Sequence, residues 1–574
     1  MDLSFLRRIP RLPAILLLCL IAYGAGSRRT GFTGKDELRY AQIAKEMDSL
    51  RGFFLLHYQG EVYPDKPPLY FWMARASYCL TGGVSPLGAR LPLILCTLLT
   101  VALTYDIGRR FFGERPAVLA ALFHGLCFRV LWSAHWTKLD PPLVAFTTLA
   151  FWFWVREMPS HEMGERPTLG SVMGFWCAMG LAFLVKGPLG LVIPLGTLLV
   201  CFAARRKWRG AIGWSTILGI LAFLIALSVW IVPGLHFGGW KDYFRIIWDQ
   251  EIVGRTTQPW RHTKAGVVNW AYYLAHILEF LPGALFLPAA FAIAWRRRAE
   301  KSAERNAVLF LLSWFWFIFI FFTLMKSKRA QYILPLYPAA GLLAGWAADR
   351  LLRGDPQARK WTLIPLRILG ILCIAAGIVV QFDISALKKE FQVPVPLAGK
   401  IAALAVAVPV GVMILRLVRR ERWTGAVGWA IAATPSLFLV ALLLYFPVGY
   451  QDASYKDIAR FTDALTEKGD VVYTHDAPNP YLNIYGHYLL RRFQGSEHLA
   501  GLGPDFDSFS EEFPKLTIVA ALPEPTLIFV TKRKFEEFRR ACPDSVLYVV
   551  REFDAPRFTD EGGVCLVSNR PGNP

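Results

Sequence analysis

Asp36, Arg39, Lys66 and Lys186 are the residues whose types and spacing most invite chemistry. Asp36 and Arg39 stand three positions apart in TGKDELRYAQIAKEM, a spacing that puts both on one helix face. Thr33 with Asp36 three residues on has the form of a helix N-terminus. Tyr40, Ile43, Ala44, Met47 and Leu50 then recur at helical spacing, as in a helix lying on a membrane surface. On spacing alone, the acid and the arginine are a plain ion pair on such a helix. Lys66 changes the balance, because Pro67 and Pro68 fix two φ angles and remove two backbone donors beside it. A cation on so stiff a segment at an interface is suited to hold a lipid phosphate, although a lone juxtamembrane lysine serves ordinary headgroups equally well. Lys186 ends an apolar run just before Gly187-Pro188, where it either snorkels to the interface or serves function.

The elements that must position these side chains are membrane helices. Of 574 residues, 54% are hydrophobic and 14% aromatic, too apolar for a soluble chain of this size. Apolar runs suited to a hydrocarbon core of about 30 Å cover 12–27, 86–106, 116–133, 141–156, 171–186, 188–204, 211–233, 274–295, 307–325, 332–350, 362–382, 396–416 and 425–447. These thirteen are expected to be helices, since in lipid each segment must pair its own backbone.

The formal charge of +20 would suit a nucleic-acid partner, but its placement points elsewhere. Arginines and lysines fill every second loop: Arg7, Arg8 and Arg11; Arg109, Arg110 and Arg115; Arg205, Arg206, Lys207 and Arg209; Arg296 to Arg298. The series continues with Arg350, Arg353, Arg359 and Lys360, then Arg416, Arg419, Arg420 and Arg422. Such alternation marks the cytoplasmic face, so the charge orients the chain and requires no nucleic acid. The N-terminus is then cytoplasmic and the tail periplasmic. Extracytoplasmic loops fall at 28–84, 134–140, 234–273, 326–331 and 383–395, with the Lys186 turn on the same side. Loop 28–84 carries more cations than the rule predicts, as it would if some bind substrate.

The first apolar run follows a basic start but has no clear small-residue cleavage site, so it reads as an uncleaved span. Residues 1–447 form the expected transmembrane domain. From 448 to 574, apolar strands at 470–475, 516–522, 526–531 and 546–553 alternate with helical stretches at 455–469 and 532–542, which predicts a small periplasmic α/β domain. Cys542 and Cys565 lie in that tail, where an oxidising compartment permits a disulfide that no spacing rule demands. The cysteines of the spans read as packing residues.

DELRYAQIAKEM followed by YPDKPPLYFWM resembles the aminoarabinose transferases that modify lipid A, and the wider protein O-mannosyltransferase-like GT-C glycosyltransferases. KLDPPL at 138–143, AFLVKGPLGLVIP at 182–194 and KSKRAQYILPLYP at 326–338 follow in the family's order. The resemblance implies a polyprenyl-phosphate sugar as donor, an envelope lipid such as lipid A or another glycan as acceptor, and no nucleotide. It implies that Asp36 is the general base and Asp140 a second catalytic acid. Arg39, Lys66, Lys186, Lys328 and Tyr332 would hold the donor phosphate. Glu37, Arg255 and Arg261 would line the cavity or meet the acceptor. A divalent ion, zinc or similar, is implied on Asp65 and His262. The family has a glutamate where Asp65 stands, and His262 lies further from Tyr272 and Tyr273 than its pattern.

The implied chemistry needs few parts. A carboxylate within reach takes the proton of an attacking hydroxyl, and cations stabilise charge growing on the leaving phosphate. Single displacement inverts C1. A glycolipid flippase would more often show internal repeats with broken helices and charges near the midplane, whereas here the distinctive polar residues gather on one face. A glycan polymerase or ligase differs only in its donor. The protein is expected to act as a monomer in a bacterial inner membrane.

Overall fold

The computed structural model describes residues 11–25, 32, 35–58, 60–63, 65–163, 167–205, 214–238, 271–300, 302–325, 327–382, 397–444, 471–475, 489–492, 527–541, 547–554 and 563–569. Thr33, Arg255, Arg261, His262, Cys542, the helix expected at 455–469 and the strand expected at 516–522 lie outside them. The chain divides into two compact units. One comprises Met1–Arg28, Pro64–Ser77 and Leu87–Pro447; the other comprises Arg29–Tyr63, Tyr78–Pro86 and Val448–Pro574.

The first unit is helical. In order it holds α1 (Arg11–Gly24), the start of α4 (Leu69–Thr81), α5 (Pro86–Phe112), α6 (Glu114–Gly125), α7 (Phe128–His135), α8 (Asp140–Met163), α9 (Leu169–Lys186), α10 (Leu189–Arg205) and α11 (Trp214–Gly238). After the large loop come α12 (Ala271–His276), two 3-10 turns (Ile277–Phe280 and Gly283–Phe286), α13 (Leu287–Arg296) and α14 (Ala303–Leu324). A further 3-10 segment (Ala330–Leu336) leads into α15 (Tyr337–Leu352), α16 (Pro356–Val379), α17 (Leu397–Arg419) and α18 (Trp423–Leu444).

Each of the thirteen apolar runs falls on a helix or a helix pair. Among the described residues, seven helices are long and apolar enough to cross a membrane, and up to nine spans result if each bent pair is one. The bends are 52° between α6 and α7 and 109° between the α12 and α13 halves. Ile217, Leu221, Leu224 and Val232 of α11 are all more than half exposed. Such a run of bare apolar side chains is solvated by acyl chains rather than water.

Helix contact inside the unit relies on small residues. On α15, Ala340, Gly341, Ala344, Gly345 and Ala348 are buried, and a Cβ at Gly345 would lie 2.6 Å from both the Ala120 nitrogen and the Pro116 carbonyl of α6. A stripe of this kind lets two backbones approach where lipid gives no hydrophobic drive.

In the second unit, α2 (Lys35–Lys45) and α3 (Leu50–Phe54) precede a two-stranded hairpin, β1 (His57–Tyr58) and β2 (Glu61–Val62). The expected membrane-surface helix is corrected here. Tyr40, Ile43, Ala44 and Met47 are at most 8% exposed, covered by protein rather than open to lipid, and Leu50 falls in a separate helix. The tail contributes β3 (Val471–His475), β4 (Leu489–Arg492), β5 (Leu527–Thr531), α19 (Lys532–Ala541), β6 (Tyr548–Asp554) and β7 (Gly563–Ser568). Strand order is β4-β3-β5-β7-β6, parallel around β3 and antiparallel around β7. Phe535 and Phe538 of α19 are buried, as are Ile528, Val530, Leu566 and Val567 of the sheet.

Candidate active site

Asp140 opens α8, and Pro141 and Pro142 follow it. Proline is tolerated in the first helical turn, where its missing N–H leaves no gap. Lys186 closes α9, whose next residue, Gly187, has φ +64°, a conformation that favours glycine. The two helix ends meet: Lys186 Nζ lies 2.6 Å from Asp140 Oδ1, with the side chains 9% and 5% exposed. The acid stands at the positive end of its helix dipole and the lysine at the negative end of its own. Local sequence and tertiary pairing therefore agree.

Two tyrosines extend this pair. Tyr332, in the 3-10 segment after α14, places its ring 5.0 Å from Lys186 Nζ. Lys328 Nζ donates to the carbonyl oxygens of Thr323 at 2.7 Å and Met325 at 2.9 Å, at the C-terminal end of α14. It also stands 5.4 Å from the ring centre of Tyr273. Tyr273 is fully buried, close to the Arg329 backbone, and feels Tyr272, Tyr332 and Asp140 electrostatically. Asp140, Lys186, Tyr332, Lys328 and Tyr273 thus form one cluster. Burial lowers the Lys328 ammonium below the usual lysine range.

Lys66 is 8% exposed, and its ammonium donates to the Asp65 carbonyl at 2.7 Å. The stiff Pro67-Pro68 segment leads from it into α4. Asp65 is half-buried. Among the described residues no three His, Cys, Asp or Glu side chains are grouped to hold a metal ion, so Asp65 alone does not make such a site.

Asp36, Glu37 and Arg39 belong to the second unit. Asp36 lies in the first turn of α2, and its Oδ1 is 3.3 Å from Arg39 NH2, with the side chains 25% and 36% exposed. Burial works to lower the Arg39 pKa, but nearby Tyr63 and Asp36 outweigh it and hold the pKa above the usual value. Glu37 is 2% exposed.

Sequence reasoning missed a second polar cluster in the first unit. Arg129 of α7 donates to Glu279, whose other oxygen lies 2.8 Å from His276 Nδ1. The Tyr272 ring packs 4.4 Å from that imidazole, and Tyr337 donates to the His276 carbonyl at 3.2 Å. Charges inside two apolar runs were the available clue, since each must find a partner there. Tyr273 was missed as a member of the main cluster because nothing in its neighbourhood repeats a motif.

Residues 65–231 match the family described as dolichyl-phosphate-mannose-protein mannosyltransferase. An undecaprenyl phosphate-alpha-4-amino-4-deoxy-L-arabinose arabinosyl transferase of Edwardsiella ictaluri is 30% identical over 346 residues, 60% of this chain and 59% of that protein. A protein of the same description from Pseudomonas fluorescens is 29% identical over 75% of both chains. The crystal structure of ArnT from Cupriavidus metallidurans bound to undecaprenyl phosphate superposes with a TM-score of 0.73 at 22% identity, over 100% of this chain and 99% of that one. Its apo state gives 0.69 over 97% of each. The likeness, at 22% identity, is one of fold.

Proposed function

Starting from its place among the aminoarabinose-transferase-like GT-C glycosyltransferases, we propose that this chain moves a sugar from a polyprenyl-phosphate carrier to an envelope acceptor, a lipid A-like lipid before others. The supporting observation is the buried Asp140–Lys186 pair joined to Tyr332 and Lys328. It sets cations and tyrosines at helix ends, where the phosphate of a membrane-dissolved donor would lie.

In this reading Asp36 takes the proton of the acceptor hydroxyl as its oxygen attacks C1. The bond from C1 to the phosphate oxygen breaks, the polyprenyl phosphate leaves with the electron pair, and C1 inverts. Arg39, Lys66, Lys186, Lys328 and Tyr332 meet the phosphate, where charge grows in the transition state. Asp140, the second catalytic residue of this reading, also holds Lys186 and compensates its charge. Glu37, Arg255 and Arg261 are assigned to the acceptor or the cavity wall. Asp65 and His262 are the residues that would hold a divalent ion if the family resemblance extends that far.

The transmembrane domain is taken as 1–447 and the α/β domain as 448–574. The latter is placed in the periplasm of a bacterial inner membrane, with the N-terminus cytoplasmic and the protein a monomer.

The deciding experiment reconstitutes purified protein in liposomes with labelled polyprenyl-phosphate sugars and an envelope extract. One donor should lose its label with wild type and not with Asp36→Asn. Passage of intact donor across the bilayer, with no transfer, would replace the reading by a flippase. Consumption of lipid-linked oligosaccharides alone would make it a polymerase or ligase.

A further inference from the structure

At the end of α14 remote from Lys328, a cavity of about 380 Å³ opens between α13, the start of α14 and α15. α14 has 22 residues, so at about 1.5 Å each the rim of the cavity at its start and Lys328 beyond its end lie roughly 33 Å apart along it. That is the thickness of a hydrocarbon core.

The cavity has an apolar wall and a basic rim. Phe291, Leu312 and Trp316 line the wall, and Trp316 and Trp295 are 41% and 69% exposed, so the wall continues into the lipid-facing surface. On the rim the acids are already engaged. Glu304 accepts from Arg297, Arg350 and the Trp346 indole, and Glu300 accepts from Arg297. Arg298 and Arg305 have no carboxylate partner among the described residues. Arg298 stacks 4.4 Å from the Trp295 ring centre and donates to the Trp295 carbonyl. Arg305 donates through Nε to the Arg298 backbone carbonyl at 2.8 Å, and both arginines line the cavity.

We infer that this cavity is a binding site for an anionic phospholipid, its phosphate held by Arg298 and Arg305 and an acyl chain laid along Leu312 and Trp316. Two guanidiniums lining one cavity, with no carboxylate partner among the described residues, suit a phosphodiester, which a guanidinium can grip with two N–H groups. The wall suits hydrocarbon, and basic pockets between spans are where anionic headgroups dock. A zwitterionic lipid carries its own cation and gains less from the same rim. The site is separate from the proposed reaction and does not depend on it.

The test uses the full chain in detergent, titrated with short-chain phosphatidylglycerol or phosphatidylcholine. Thermal unfolding and native mass spectrometry would report binding. Phosphatidylglycerol should raise the Tm and stay bound, phosphatidylcholine should do neither, and R298E/R305E should bind phosphatidylglycerol roughly tenfold more weakly or worse. R298K/R305K, which keeps the charge but loses the two-pronged grip, should bind more weakly than wild type and more tightly than the reversal variant, which guards against a fold defect in the latter; if the reversal variant does not fold, R298Q/R305Q replaces it. Equal responses to the two lipids would overturn the proposal, as would an unchanged response in the charge-reversed or neutral variant. Displacement of bound phosphatidylglycerol by undecaprenyl phosphate would assign the cavity to the carrier and overturn it too.

Discussion

Lys186 of α9 and Asp140 of α8, 46 residues apart, form a buried ion pair with 2.6 Å between Nζ and Oδ1. Removing one partner of such a pair leaves an uncompensated buried charge, which costs about 3–5 kcal/mol. Lys186→Met and Asp140→Asn should each lower the Tm, and the double variant should be less destabilised than the sum of the two. If the pair only braced two helices, the double variant would recover turnover with stability. If Lys186 meets the donor phosphate, turnover stays lost. Paired thermal melts and transfer assays on the three variants separate these outcomes.

Asp36→Asn keeps the size of the side chain and the i,i+3 neighbour Arg39 but removes the proton acceptor. Loss of a general base should slow transfer by about 10²–10⁴-fold, with donor affinity nearly unchanged. Arg39→Lys should behave in the opposite sense, weakening donor binding through the lost two-pronged grip. The check is a split of kcat from KM. Loss confined to KM in Asp36→Asn would remove it from the base role.

The same two acids show how far the sequence could be read. The spans were legible because apolar runs near 18 residues have few other uses; Lys186 stood out through the Gly-Pro that ends its helix, and Asp140 through the family resemblance of KLDPPL. Burial of α2 was not legible. Tyr40, Ile43 and Met47 have the spacing of a membrane-surface helix whether lipid or protein covers them, and only the tertiary structure distinguishes the two. The Arg129–Glu279 pair was hidden for another reason. Its members are 150 residues apart, and pairing across that distance leaves no mark in local spacing. In the tail, β4 was missed because Leu489–Arg492 is short and half basic, and β7 because GVCLVS has no clear alternation, although it is the strand that joins β5 to β6.

Gly345 gives a prediction about packing alone. A methyl there would sit 2.6 Å from backbone atoms of Pro116 and Ala120, and backbone cannot rotate away as a side chain can. Gly345→Ala should force α15 from α6 and cost about 1–3 kcal/mol, seen as a lower Tm in detergent. Gly428→Ala on α18 meets nothing within 4 Å and should leave the Tm unchanged. Equal Tm values for the two variants would show that the α6–α15 seam yields.

Lys328 carries the pH prediction. Burial lowers its pKa in the folded chain relative to a free lysine. The ammonium, which is the form that meets phosphate, is present below that pKa and lost as pH rises through it. Donor binding should therefore fall on the alkaline side earlier than for an ordinary lysine. Stability moves the other way over the same window. Between the folded and unfolded pKa values the unfolded chain binds the extra proton, so the fold gains stability as pH rises. Lys328→Arg keeps its charge throughout and should shift the alkaline limb of kcat/KM upward while flattening the rise in Tm. Measuring both quantities from neutral to pH 10.5 tests the pairing. An alkaline limb that does not move in the variant would place the titrating group elsewhere, and would leave Lys328 as a cap on the last carbonyls of α14.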